Sequence, residues 1–360
     1  MSSASAYAPG RVEFLGNHTD YNEGVVLAAA IDRGLTVSGF SGDDRRLVLT
    51  SLALGRRVEV PLARLEPQAK EPWANYALGV VHELIEEGFE VGSFRAEVSG
   101  DLPPGAGLSS SAAFEVATAR FLMKLHRLEI PDLVLAKLCQ RAENRFVGVR
   151  SGLLDQVTSI FGRANHLVFL DCRSEEVRTI PFPEDMALLI ADSGVKHSLA
   201  RGQYNTRREE CADAAEALGV RALRDISAHD LQTFTGSLDP LLRRRAAHIM
   251  GENERVWRAL DSLEAGDAVA LGALMNASHE SSRTNFENST QELDLLTGIA
   301  RSLPGVLGSR LTGGGFGGAT VSLVRASAAA TAARQLGEEY AARARRPAQV
   351  FICRIADGAE

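Results

Sequence analysis

The spacing of apolar side chains divides the 360-residue chain into stretches with two different periods. Residues 33–61 alternate apolar and polar positions around turns at Ser41-Gly42-Asp43-Asp44 and Leu54-Gly55, which predicts antiparallel strands over 35–40, 47–51 and 56–60. From Pro72 to residue 87 the period lengthens. Trp73, Tyr76, Ala77, Val80, Val81, Leu84 and Ile85 recur at helical spacing, with Pro72 suited to a helix start and Gly88 to a stop. A strand over 94–99 leads into a helix that opens with three serines at 109–111 and carries Ala112, Ala113, Val116, Ala117 and Phe121 on its apolar side, and another helix covers 131–146. Strands over 167–171 and 187–192 precede three amphipathic helices, 201–218, 241–263 and 269–283. The C-terminal part reads as two strands around a glycine-rich loop within 303–324, a helix over 327–343 with Ser327 as its N-cap, and a strand over 350–355. This order of strands and helices predicts an α+β sandwich.

Composition narrows the class. Hydrophobic residues make up 45% and charged residues 24%, which describes a globular chain with room for two cores. The net charge is −7, and the short basic clusters at Arg207-Arg208, 243–245 and Arg345-Arg346 have no interleaved aromatics, so no nucleic-acid partner is expected and any phosphate bound belongs to a small molecule. Cys139, Cys172, Cys211 and Cys353 lie far apart without a CxxC pair, as buried thiols in a reducing compartment do. Apolar runs such as 25–31 fall short of a membrane span and no secretory leader is evident, so a cytoplasmic location and no membrane partner are expected.

Three stretches carry chemistry. DLPPGAGLSSSAAFE, 101–115, combines a proline-stiffened turn, Gly105, Gly107 and a serine-rich helix start, which suits the phosphates of a nucleotide; a glycine turn followed by a serine N-cap accounts for it equally well on its own. APGRVEFLGNHTDYNEG, 8–24, sets Arg11, Asn17, His18, Asp20, Tyr21 and Asn22 beside a buried strand, a donor and acceptor density that fits either a polyhydroxylated ligand or a local Asx-type turn. In SGLLDQVTSIFG, Asp155 stands among Leu153, Leu154, Val157 and Ile160, where a lone carboxylate is costly unless paired or used. Glu143, on the polar side of its helix, reads as solvated, and Trp73 reads as a core residue with an aromatic wall for a base as the alternative. Gly313, Gly315 and Gly318 formally satisfy GxGxxG, but a strand rather than a helix follows. That loop is expected to pack its bare backbone against the phosphate cradle.

Taken together, APGRVEFLGNHTDYNEG, DLPPGAGLSSSAA and SRLTGGGFGG resemble the three motifs of the GHMP small-molecule kinases, and the first is similar to the galactokinase signature. PWANYALGV, QRAENRFVG, SGLLDQ and QYNTRREEC extend the resemblance over nearly the whole chain. It implies a two-domain GHMP kinase fold: an N-terminal domain like ribosomal protein S5 domain 2 with a mixed five-stranded sheet, and a ferredoxin-like C-terminal domain; Pro181 and Pro183 put the expected boundary near 182, giving 1–182 and 183–360. It implies that Gly105, Ala106, Gly107, Leu108, Ser109, Ser110 and Ser111 cradle ATP with Trp73 near adenine, and that Ser111 and Glu143 hold Mg²⁺. Asp155 would be the catalytic carboxylate with Arg11 beside it, while Asn17, His18, Asp20, Gly152 and Tyr204 bind a small-molecule sugar phosphorylated at its C1 hydroxyl. A monomer is expected. The chain departs from that family pattern at Asn17, where Glu is usual, at Glu13, where Asn is usual, and at Ala28, where Pro is usual. D-galactose is the expected substrate, with N-acetylgalactosamine, galacturonate or arabinose as alternatives, and a catalytically silent galactose sensor as the reading outside enzymes.

Overall fold

A computed structural model describes residues 2–103, 106–195, 200–234, 236 and 238–360. The first half folds as β1 (Ser3–Leu15), β2 (Val25–Ser41), β3 (Arg46–Ser51), β4 (Arg56–Pro61), α1 (Asn75–Glu86), β5 (Phe94–Gly100), α2 (Ser110–His126), α3 (Asp132–Arg141), α4 (Leu154–Phe161), β6 (His166–Asp171) and β7 (Glu176–Pro181). Its strands form one mixed sheet in the order β4-β3-β5-β2-β6-β7, with β1 also paired to β2, and among the described residues only β3 and β5 run parallel. The sheet therefore has seven strands and not five. Two of them were not read from the pattern: β1, whose polar signature masks its alternation, and β7, which ends at Pro181 on the sheet edge.

The second half comprises β8 (Met186–Asp192), α5 (Ala200–Leu218), α6 (Ala228–Thr233), α7 (Pro240–Glu264), α8 (Ala268–Ser281), α9 (Gln291–Ser302), β9 (Val306–Leu311), β10 (Ala319–Arg325), α10 (Ala329–Ala344) and β11 (Gln349–Cys353). Its antiparallel sheet runs β11-β8-β10-β9, the ferredoxin-like order in which the first strand lies between the fourth and the third.

One core lies between the first sheet and α1 to α4, built from residues such as Leu78, Phe94, Phe121 and Leu138. A second joins Phe14, Leu27 and Ile31 of the β1–β2 ribbon to Leu188, Ile190 and Val321 of the other sheet and to Val256 and Met275 of α7 and α8. The ribbon is thus covered on both faces, which is why 25–31 is continuously apolar instead of alternating. The chain end returns to it: Ile355 bridges Ile31, and Tyr7 and Glu360 exchange backbone hydrogen bonds.

Two helix termini differ from expectation. Ser327 is not an N-cap; it lies inside a short 3₁₀ turn (Ala326–Ala328), and α10 starts after Ala328 without a side-chain cap. The helix predicted over 131–146 stops being α-helical at Arg141 and widens into a π turn (Ala142–Val147). Among the described residues no helix is long and apolar enough to cross a membrane.

Candidate active site

β1 carries Arg11 into the centre of the molecule, where it is 5% exposed. Its Nε and Nη2 donate to Asp155 Oδ1 at 2.7 and 2.6 Å, and its Nη1 donates to the carbonyl of Gly107 at 2.8 Å. Asp155 stands in the first turn of α4, and its other oxygen accepts from Ser109 Oγ. Ser109 occupies the N-cap position of α2 at φ 55°, a conformation costly for a serine, and its hydroxyl makes no cap bond; the strain is held by the contact to Asp155. Carboxylate, guanidinium and phosphate-loop hydroxyl are therefore one unit.

The described part of the loop, 106–111, leads into the first turn of α2. The glycine-rich loop between β9 and β10 lies against it: a side chain on Gly313, at φ 74°, would come within 2.9 Å of the Gly107 carbonyl, and one on Gly318 within 3.3 Å of the Ala106 carbonyl. Gly105 lies outside the described residues. Ser110 and Ser111 also line an apolar recess of about 230 Å³ with Leu35, Leu54, Trp73, Tyr76, Leu102 and Phe114. Trp73 is half-buried there, nearly parallel to Phe114 with ring centres 6.2 Å apart, and its Nε1 donates to Glu71 at 2.7 Å.

On the other side of Asp155 is a polar cleft of about 150 Å³ lined by Arg11, Glu13, Asn17, His18, Asp20, Glu143, Ser151, Gly152, Tyr204 and Gly314, among others. Asp20 lies so close to Gly152 that a Cβ there would meet Oδ2 at 1.8 Å, so this position accepts glycine alone. Burial, with Asp155 and Glu13 adding like charge, pushes the Asp20 carboxyl up to about 7. His18 is buried and held neutral, its pKa lowered to about 3 mainly by burial. Its Nε2–H donates to the Gly314 carbonyl at 3.0 Å, and Nδ1 accepts from the Tyr21 hydroxyl at 2.7 Å, while Tyr204 packs against the ring. Asn17 is fully buried, with its amide hydrogens given to Glu13 Oε1 (2.8 Å) and the Gly313 carbonyl (2.9 Å).

Glu143 is not solvated. The π turn directs it inward, where it is 5% exposed and accepts from Ser151 Oγ, from Gln156 Nε2 at 3.2 Å and from Ser111. Burial raises its pKa, and Asp155 adds to the rise. Behind it Glu115 is fully buried, bonded to the same Gln156 Nε2 at 2.9 Å, with its Oε1 unpartnered. Among the described residues no group of three or more His, Cys, Asp or Glu side chains is arranged to hold a metal by itself. The donors present suit Mg²⁺ on a substrate: one carboxylate and one hydroxyl beside the phosphate loop, in a pocket with excess negative charge, leaving the other positions to phosphate and water.

Gln156 and Glu115 gave no signal in sequence: nothing local separates either from the ordinary polar residues of its own helix, yet both are fully buried beside Glu143.

The residues matched by the family description "GHMP kinases N terminal domain" are 75–163, those matched by "GHMP kinases C terminal" are 259–342, and "Galactokinase galactose-binding signature" matches 2–39. The mevalonate kinase of Methanococcus jannaschii superposes with a TM-score of 0.71 at 17% identity over 99% of both chains, which is a likeness of fold. Fold and site thus define a two-domain kinase architecture of the GHMP type. Closer similarity is found to the galactokinase of Roseiflexus sp., 42% identical over 98% of this chain and 91% of that one, and to the galactokinase of Haemophilus influenzae, 39% identical over 99% and 94%. The crystal structure of Lactococcus lactis galactokinase complexed with galactose has a TM-score of 0.95 at 32% identity, covering 100% of this chain and 95% of that one. The chain belongs to the galactokinase family.

Proposed function

We propose that this protein transfers the γ-phosphoryl group of ATP to the C1 hydroxyl of D-galactose, giving galactose 1-phosphate and ADP. The observation that carries this reading is the Arg11–Asp155–Ser109 unit, which stands between a polar cleft rich in acceptors and a glycine and serine loop beside an apolar recess. The apolar recess takes the adenine against Trp73, and the loop from Gly105 to Ser111 takes the phosphates. Asp20, His18, Asn17, Gly152 and Tyr204 form the sugar side, with Asp20 as a direct partner and the committed ring of His18 as a shaping wall.

Asp155 accepts or orients the proton of the attacking hydroxyl as its oxygen bonds to the γ-phosphorus and the bond to ADP breaks. Arg11, paired with Asp155, holds that carboxylate in place and stabilises the charge that develops in transfer, since phosphoryl transfer asks for positioning and charge neutralisation more than covalent chemistry. Ser111 and Glu143 would hold Mg²⁺, which when bound neutralises charge on the phosphates. All these groups come from one chain, in keeping with a monomer, and the free cysteines are in keeping with a cytoplasmic location.

The test is a phosphorylation panel with ATP and Mg²⁺ over galactose, 2-deoxygalactose, galactosamine, N-acetylgalactosamine, galacturonate and L-arabinose, with the product identified by mass and NMR. Galactose is expected to give the highest kcat/KM. Preference for galacturonate or arabinose would overturn the substrate while leaving the kinase, and absence of any sugar phosphate would overturn both.

A further inference from the structure

Glu13 borders the same cleft from near the end of β1, with its backbone clamped on both sides. Its N–H donates to Thr312 Oγ1 at 2.8 Å, and its carbonyl accepts from Arg310 Nη1 at 3.1 Å. The carboxylate is divided in its duties. Oε1 accepts from Asn17 Nδ2 at 2.8 Å and from Arg310 Nη2 at 3.0 Å. Among the described residues none donates to Oε2, which is not sealed off in a residue that lines the cleft.

Asn17 is the converse. Both of its amide hydrogens are used, and its Oδ1 accepts from Asn288 Nδ2 at 2.9 Å and from Ser282 Oγ at 3.5 Å. With no exposed surface it has nothing left to offer a ligand. Entry of a ligand strips water from Glu13 Oε2, and a carboxylate oxygen so desolvated needs a donor. A hydroxyl supplies one; an anionic substituent at the same place is repelled.

We infer that Glu13 is a specificity-determining residue that accepts a hydrogen bond from one hydroxyl of the sugar, and that Asn17 and Arg310 are positioning residues for its carboxylate. This rests on the reading of the cleft as a monosaccharide site.

The experiment is a set of residue-by-hydroxyl cycles. kcat/KM is measured for the unaltered protein, Glu13→Gln and Glu13→Asp with galactose and with its 2-, 3-, 4- and 6-deoxy analogues, and the KM for ATP is followed alongside. Glu13→Gln turns an acceptor into a donor, and Glu13→Asp withdraws the oxygen while keeping a charge for Arg310, so it carries the comparison if the first variant fails to fold. The variants are expected to lose ~10- to 100-fold on galactose through the sugar KM, with the ATP KM unchanged. One deoxy analogue, already poor on the unaltered protein, is expected to show little further loss, which identifies the hydroxyl. Equal losses on galactose and on all four analogues would overturn the inference and leave Glu13 a structural residue. If the unaltered protein phosphorylates no sugar, the functional reading falls and this inference with it.

Discussion

At the residue scale the chemistry depends on charges placed where burial makes them responsive. Asp155 keeps its position through Arg11 and Ser109, so Asp155→Asn leaves the cleft in shape and removes the proposed proton acceptor. Turnover is expected to fall ~10²- to 10⁴-fold while galactose still binds, as calorimetry with sugar alone would record; near-normal turnover in a folded variant would take Asp155 out of the mechanism. Glu143→Gln is expected to flatten the dependence of ATP binding on Mg²⁺, and an unchanged Mg²⁺ titration would take Glu143 out of metal binding and leave it a buried structural residue. Asp20 gives a pH signature. Its carboxyl, near 3.8 in the unfolded chain, is raised to about 7 in the fold, so the folded state holds more protons between these values. The stability it contributes is present below pH ~4 and lost as pH rises through ~7. Thermal midpoints measured without ligand are expected to fall less over that window in Asp20→Asn than in the parent; parallel curves would contradict the assignment. Asp20 and Asp155 were both legible as candidates, because each is an acidic residue in apolar or hydrogen-bond-dense company. Glu143 was not, since helical spacing puts it on the polar face and nothing local announces the π turn that turns it inward.

At the element scale the strands and helices followed the apolar period closely, and the exceptions share a cause: backbone geometry set by tertiary partners. β2 runs unbroken for 17 residues, well beyond the strand expected over 35–40, because it is held by β1 on one side and by β5 and β6 on the other. The helices ending at Arg141 and Ser281 both widen into π turns, and the first of these carries Glu143, in line with the frequency of such turns at functional sites. The packing of the glycine loop against Ala106 and Gly107 was legible, because so many adjacent glycines cost entropy that only a close backbone approach explains. Gly313→Ala tests that element. A left-handed residue with a Cβ costs roughly 1–2 kcal/mol, and here the methyl group would also press on the Gly107 carbonyl. The KM for ATP is expected to rise several-fold, with a lowered thermal midpoint. An unchanged ATP KM would separate the loop from nucleotide binding.

At the scale of the whole molecule the sugar signature is an N-terminal turn held in place by the C-terminal half, an arrangement that sequence reading could not supply because its partners lie more than two hundred residues away. Glu252 of α7, fully buried, accepts from the amides of Gly16 and Asn17 through Oε2 at 3.0 and 2.8 Å and pairs with Arg255 through Oε1 at 2.6 Å. From the same helix His248 Nε2–H donates to the Asn17 carbonyl at 3.2 Å. Burial alone would raise the Glu252 carboxyl, but Arg255 and His248 outweigh it and hold the pKa below the usual value. Its contribution to stability is therefore present above pH ~4.5 and lost as pH falls below that value. Glu252→Ala leaves two buried amides and a guanidinium without their acceptor, at a cost of roughly 3–5 kcal/mol, whereas Glu252→Gln keeps an acceptor for the amides and loses the ion pair. Both variants are expected to raise the KM for galactose, alanine more than glutamine, with little change in the KM for ATP. The apolar recess proposed for the nucleotide is lined from β2, β3, β5, α1, α2 and the loops beside them, and none of its lining residues lies on α7. Two-substrate kinetics at a temperature where both variants remain folded decide the matter: equal rises in the two KM values would mean that loss of Glu252 loosens the whole cleft, and no rise in either would mean that the turn keeps its shape without the C-terminal helix.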